Sequence, residues 1–179
     1  LASFFGSSPE FVSQNGTISI FDDNTSPVIT LTGAATLHHE AGTVFTDPGA
    51  TAADNFDTAV TVITSGTVDV TIPGNYILIY NATDTSNNMA TPVMRNVVVT
   101  DTTAPVITLA GLTTVNHEAG MAYTDAGATA TDNLDATVTV ITSGTVDEIH
   151  PGTYTLTNSA EDTAGNHVPL APAAPLTRT

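Results

Sequence analysis

Carboxylates are the side chains through which this chain could do chemistry. Two Asp-Asn-x-Asp loops (54–57 and 132–135) and two Asp-x-x-x-Asn loops (84–88 and 162–166) gather hard oxygen donors in turn-forming sequence. Clusters of oxygen donors suit calcium, which takes roughly six to eight oxygen ligands. The candidate ligands are Asp23, Glu40, Asp54, Asp57, Asp84 and Asn88, with Asp101, Glu118, Asp132, Asp135, Asp162 and Asn166 as counterparts 78 residues on. The competing role for such residues is to cap turns by bonding the local backbone.

Catalytic patterns fail on spacing. His39-Glu40 and His117-Glu118 begin a zinc-protease motif, but Thr43 and Met121 stand where its second histidine is required. No nucleophile elbow accompanies the serines, and nothing points to a paired-carboxylate glycosidase. The chain reads as a non-enzyme with no catalytic residues.

The charge balance excludes whole classes of partner. Arg95 and Arg178 are the only basic side chains besides histidine, against 18 carboxylates, for a net charge of −16. Nucleic acid is bound by neutralising phosphates with Lys and Arg, so it is not an expected partner, and an anionic membrane surface is disfavoured likewise. No apolar run is long enough to span a bilayer. With no cysteine and no lysine, neither a disulfide nor a Lys–Asn isopeptide bond can staple the fold.

The elements that must position these carboxylates are set by a duplication. Shifting the sequence by 78 residues aligns Pro27–Asn88 with Pro105–Asn166 without a gap at about 60% identity. Fourteen of the 18 acids fall into seven pairs under this shift: 23/101, 40/118, 47/125, 54/132, 57/135, 69/147 and 84/162. Each shared block is short, β-prone and bounded by turn residues. After Pro73-Gly74, the residues Tyr76, Leu78, Tyr80 and Ala82 alternate as one buried strand face, repeated as Tyr154, Leu156, Asn158 and Ala160. Asn158 in place of Tyr80 predicts a looser or differently closed second core. The fold expected is all-β: two tandem immunoglobulin-like β-sandwich modules of about seven short strands each, preceded by an extra N-terminal strand.

Several of these blocks together resemble a known family. Asp-Thr-Thr-Ala-Pro-Val-Ile-Thr-Leu (101–109), Asp-Pro-Gly-Ala-Thr-Ala-x-Asp-Asn-x-Asp (47–57), Ser-Gly-Thr-Val-Asp, Pro-Gly-x-Tyr and Asp-Thr-Ala-Gly-Asn (162–166) are similar to the bacterial surface immunoglobulin-like domains found in tandem in adhesins and cell-surface proteins. The resemblance covers nearly all of 24–166. It implies an extracellular spacer or adhesion module, often stiffened by calcium at domain junctions, and it names no ligand.

The ends of the repeat are uneven. Residues 19–23 align with 97–101, so segment 1–23 is expected to form a final strand with no module before it; modules 24–101 and 102–179 follow. After Asn166 come three prolines, at 169, 172 and 175, which cannot donate to a sheet ladder. Module 2 is therefore expected to lack its own last strand. Either the chain is a cut from a longer array, or Phe11, Val12, Ile18, Ile20 and Phe21 form a donor strand that completes a neighbour's module 2 and links copies head to tail.

The function expected is structural or adhesive: an extracellular, secreted or cell-surface fibre subunit or stalk, with itself or neighbouring immunoglobulin-like modules as partner, and with any surface glycan or protein ligand unknown. The alternative is a carbohydrate-binding accessory module of a secreted enzyme, disfavoured by the absence of Trp and the core positions of Tyr76, Tyr80 and Tyr154. Asn15, Asn24 and Asn81 match the N-glycosylation triplet.

Overall fold

A computed structural model of the 179-residue chain describes residues 11–14, 17–20, 23–168 and 177–178. All regular structure among them is β, and they hold no helix long and apolar enough to cross a membrane. Contacts divide the chain into two compact units. Unit 1 is Leu1–His39 with Val44–Val99, and unit 2 is Glu40–Thr43 with Thr100–Thr179.

In unit 1, β3 (Val28–Leu31) pairs with β5 (Ala50–Ala53), and β4 (Thr36–Glu40), β8 (Val93–Thr100), β7 (Gly74–Ala82) and β6 (Val62–Ser65) form a four-stranded sheet in that order. The burial of β7 alternates as its sequence demands: Leu78, Tyr80 and Ala82 are buried, whereas Ile77 on the other face is 54% exposed. Tyr76 donates its hydroxyl to the carbonyl of Ile72 at 2.7 Å, and Tyr154 repeats this to His150 at 2.8 Å. That upward bond from the start of a strand to the preceding corner is a hallmark of immunoglobulin-like sandwiches.

The unit 1 core also holds a charge. Arg95 lies on the inner face of β8 beside Val97 and Val99 and is 0% exposed. Its guanidinium pairs with Asp47. It also donates to the carbonyls of Thr32 (2.6 Å), Gly49 (3.2 Å) and Ala34 (3.1 Å), and stacks over the Tyr80 ring at 5.5 Å. Tyr80 donates to the same carboxylate at 2.7 Å. Burial, then the Asp47 hydrogen bond and charge, push the Tyr80 phenol up to about 12.

In unit 2, β9 (Val106–Leu109) pairs with β10 (Ala128–Thr131), and β11 (Val140–Ser143), β12 (Leu156–Ala160) and β13 (Thr177–Arg178) form a three-stranded sheet. Asn158, the polar substitute for Tyr80, is 1% exposed and accepts a 2.6 Å hydrogen bond from Thr142. A buried polar pair thus replaces the tyrosine of unit 1.

Among the described residues, module 24–101 carries six strands and module 102–179 five, where seven each were expected; Val60 and Val138 make only single bridges, to Ala52 and Ala130. Near the end of module 2, Thr177 and Arg178 pair with Thr157 and Leu156, in the register that joins Arg95 to Leu78. Proline 175 precedes this strand rather than interrupting it. Near the N-terminus the pairing is local. β1 (Phe11–Gln14) folds back on β2 (Thr17–Ile20), with Phe11 opposite Ile20 and Ser13 opposite Ile18. Asn15 and Phe21 lie outside the described residues.

One turn carries a sharp steric requirement in both units. Gly66 has φ +100°, and a Cβ there would stand 2.3 Å from the carbonyl oxygen of Ile77; Gly144 repeats this at 2.4 Å from Thr155. Gly66→Ala is expected to destabilise unit 1 by about 1–3 kcal/mol, read as a lower urea midpoint.

Candidate metal centres

Three chain segments bring carboxylates together in unit 1. Asp23 precedes β3, Asp54 and Asp57 sit in the loop after β5, and Asp84 opens the turn after β7. One oxygen from each of the four lies within 4.8 Å of the others. In unit 2, Asp101, Asp132 and Asp162 are gathered within the same limit. The fully solvated reading of these acids fails, since Asp23, Asp84, Asp101 and Asp162 are each 9% exposed or less.

The local backbone explains how each side chain is aimed. Asp54 Oδ2 accepts the amides of Phe56 (2.8 Å) and Asp57 (3.2 Å), and Asp132 Oδ1 accepts those of Leu134 (2.8 Å) and Asp135 (3.0 Å). This is the turn-capping role anticipated for Asp, but it uses one oxygen only. Asp23 Oδ1 likewise accepts the Thr25 amide at 3.1 Å, and Asp101 Oδ1 the Thr103 amide at 3.3 Å. The second oxygens of all four, Asp23 Oδ2, Asp54 Oδ1, Asp101 Oδ2 and Asp132 Oδ2, are buried and accept no hydrogen bond. Buried polar atoms are nearly always partnered, so these four oxygens, two at each cluster, are positions that a cation could satisfy.

Asn88 and Asn166 act behind the clusters. The Asn88 amide donates to Asp84 Oδ2 at 2.8 Å and to the Asp23 carbonyl at 2.8 Å; Asn166 does the same to Asp162 (2.8 Å) and Asp101 (3.2 Å). Each asparagine thus ties the turn aspartate to the segment entering β3 or β9. The tight turn needs a left-handed residue, supplied by Asn87 (φ 70°) and by Gly165 (φ 90°).

The remaining candidates fall elsewhere. Asp57 joins its cluster and its counterpart Asp135 does not, although both accept an equivalent threonine amide, Thr85 at 2.8 Å and Thr163 at 2.6 Å. Glu118 is exposed and outside both clusters. Glu40 is also outside them. It accepts the Thr102 amide and hydroxyl at 2.9 and 2.6 Å, and the Thr103 amide and hydroxyl at 3.1 and 2.7 Å. Of the glycosylation triplets, Asn24 is exposed, whereas Asn81 is half-buried within β7.

Electrostatics separates these roles. Burial pushes the Glu40 carboxyl up, but the four bonds from Thr102 and Thr103 outweigh it and hold the group at about 2. Its contribution to stability is therefore complete above the ordinary value of 4.5 and is lost as pH falls toward about 2. Glu40→Gln is expected to cost about 1 kcal/mol at neutral pH after solvent screening. The gap between variant and parent should close through that acid window in urea titrations at stepped pH. Asp23 and Asp101 behave oppositely. Burial pushes both up, and nearby carboxylates, Asp54 and Asp84 at the first and Asp132, Asp162 and Glu40 at the second, push further in the same direction.

The donor set fits calcium. It is all oxygen, partly buried and strongly negative, with neither the imidazole nor the thiolate that favours zinc. Asp23, Asp54, Asp57 and Asp84 would hold one ion, and Asp101, Asp132 and Asp162 a second.

The sequence matches the model of the family described as "Bacterial surface protein, Ig-like domain" over residues 29–99 and again over 107–170. The chain belongs to this family. Its two Ig-like domains are thus bacterial surface protein domains in tandem, each preceded by its buried linker aspartate, Asp23 or Asp101. No curated protein matches the chain. Among solved structures it is similar to the lipoprotein BT2262 from Bacteroides thetaiotaomicron, with 31% identity over 44% of this chain and 39% of that one, at a TM-score of 0.36.

Proposed function

We propose that this chain is a non-enzymatic, extracellular structural segment of a bacterial surface protein, a stalk or fibre element whose Ig-like modules are each braced by calcium. The observation that carries this reading is the set of four buried, unpartnered carboxylate oxygens, two at each cluster. A cation there would join the segment entering a module to two of its loops. Length and stiffness would then depend on calcium outside the cell, where the ion is abundant enough for modest sites. The tyrosines lend the carbohydrate-binding alternative no support: Tyr80 is buried, and Tyr76, Tyr123 and Tyr154 commit their hydroxyls to Ile72, Asp125 and His150, while Phe56 is exposed in the loop after β5.

Isothermal titration of chelated protein with calcium tests the proposal. The expected result is two ions per chain, with Asp23→Asn and Asp101→Asn each removing one. Titration heats indistinguishable from buffer would overturn it.

A further inference from the structure

The two carboxylate clusters are assembled from corresponding chain segments, and they differ by one ligand. At the first, Asp23, Asp54, Asp57 and Asp84 bring four oxygens within 4.8 Å of one another; at the second, Asp101, Asp132 and Asp162 bring three. The frame around them repeats. Asp23 and Asp101 are 8% and 9% exposed, and Asp84 and Asp162 are 7% and 8% exposed. Each cluster holds two buried carboxylate oxygens that accept no hydrogen bond, and Asn88 and Asn166 brace the turn aspartates at the same distance of 2.8 Å. The fourth carboxylate is the difference a cation would feel.

Threonine bonds do not set Asp57 and Asp135 apart. Thr85 donates its amide and its hydroxyl to Asp57, each at 2.8 Å, and Thr163 donates the same two groups to Asp135 at 2.6 and 3.1 Å. A carboxylate has about four lone-pair sites, so either aspartate keeps capacity for a cation. Only Asp57 has an oxygen within reach of its cluster. Glu40 adds to the negative field at Asp101. Its oxygens are spent on Thr102 and Thr103, however, and it offers the second cluster no ligand atom.

Calcium affinity in all-oxygen sites is tuned by the number of charged ligands and by the rigidity of the frame. Here the frames match, so the charge count decides. We propose that the two sites are unequal: the four-carboxylate site of unit 1 takes calcium at lower free concentration than the three-carboxylate site of unit 2, and Asp57 sets the difference. This order of filling rests on the reading that each module is braced by calcium, and it deepens that reading. Over a range of calcium concentration the first module is braced while the second is not, so bracing is gained in two steps.

Amide NMR of the full chain, titrated with calcium from a chelated start, tests it. The Thr25 and Phe56 amides, bonded to Asp23 and Asp54, report the first site, and the Thr103 and Leu134 amides, bonded to Asp101 and Asp132, report the second. The first pair is expected to saturate at free calcium on the order of tenfold lower than the second, the effect of one more charged ligand. Asp57→Asn keeps an oxygen to accept from Thr85 and should bring the two curves together, with folding read from the chelated spectrum. Asp135→Asn should leave the second curve where it is. Coincident curves in the parent, a second site that fills first, or equal losses from the two substitutions overturn the order of filling and leave the calcium reading standing. Signals that ignore calcium at both sites overturn that reading and the order with it.

Discussion

Calcium added to chelated protein is expected to raise its thermal stability strongly, with each module responding through its own cluster. At free calcium a hundredfold above the dissociation constant, a site present only in the folded state contributes about 2.7 kcal/mol. For a module of this size that corresponds to a rise on the order of 10–20 °C. The effect of Asp101→Asn should change sign with the ion. In chelator the substitution removes a buried carboxylate facing Asp132 and Asp162, while its Oδ1 can still accept the Thr103 amide. The variant should then be as stable as the parent or more so. In calcium it should lose the stabilisation of unit 2 and leave that of unit 1. A turn cap without an ion gives the reverse pattern: destabilisation in chelator and no dependence on calcium.

Acid acts on the same clusters in a defined direction. Asp23 and Asp101 sit above the ordinary carboxylate value in the ion-free protein, burial first and neighbouring carboxylates second. Their folded state favours the proton, so the ion-free protein gains from these two groups as pH falls from above their raised values toward 3.8. The same protons compete with the metal. Calcium stabilisation should fade on acidification just where the ion-free clusters become less strained.

Asp47→Ala carries the second large expected effect. It leaves the Arg95 guanidinium, 0% exposed, with carbonyl partners and no counter-charge. Breaking one side of a buried pair costs about 3–5 kcal/mol, and here Tyr80 loses its acceptor too. The unfolding transition of unit 1 should fall accordingly in urea, while that of unit 2 stays put. Arg95→Met should cost clearly less, because the orphan it leaves, Asp47, has 23% of its side chain exposed and can be hydrated. Equal losses for the two variants would contradict this account of the core.

Much of this was legible in the residues. The alternation from Tyr76 to Ala82 gave the buried face of β7 because the strand period is fixed by the pleat, and the repeat paired the acids 78 residues apart while leaving open which of them meet. Arg95 carried a readable signal that composition alone concealed: it shares its face with Val97 and Val99, so a charge in that alternation had to be buried and paired. What spacing could not resolve was the split between ligand and brace. Asp84 and Asn88 sit four apart in one turn, yet Asp84 faces the other carboxylates while the asparagine amide is turned to Asp84 and to the Asp23 carbonyl 65 residues away. Glu40 is committed to threonine donors 62 and 63 residues along the chain. Such choices depend on which loops meet, and that is fixed by the tertiary fold.

The most direct test of the central claim is a crystal structure of the chain grown with calcium, with the ion identified by anomalous scattering. The account predicts two ions, one within about 2.3–2.6 Å of Asp23 Oδ2 and Asp54 Oδ1 and the other equally close to Asp101 Oδ2 and Asp132 Oδ2. Ordered density at both clusters with no cation, and those four oxygens bonded to water or protein donors instead, would contradict it.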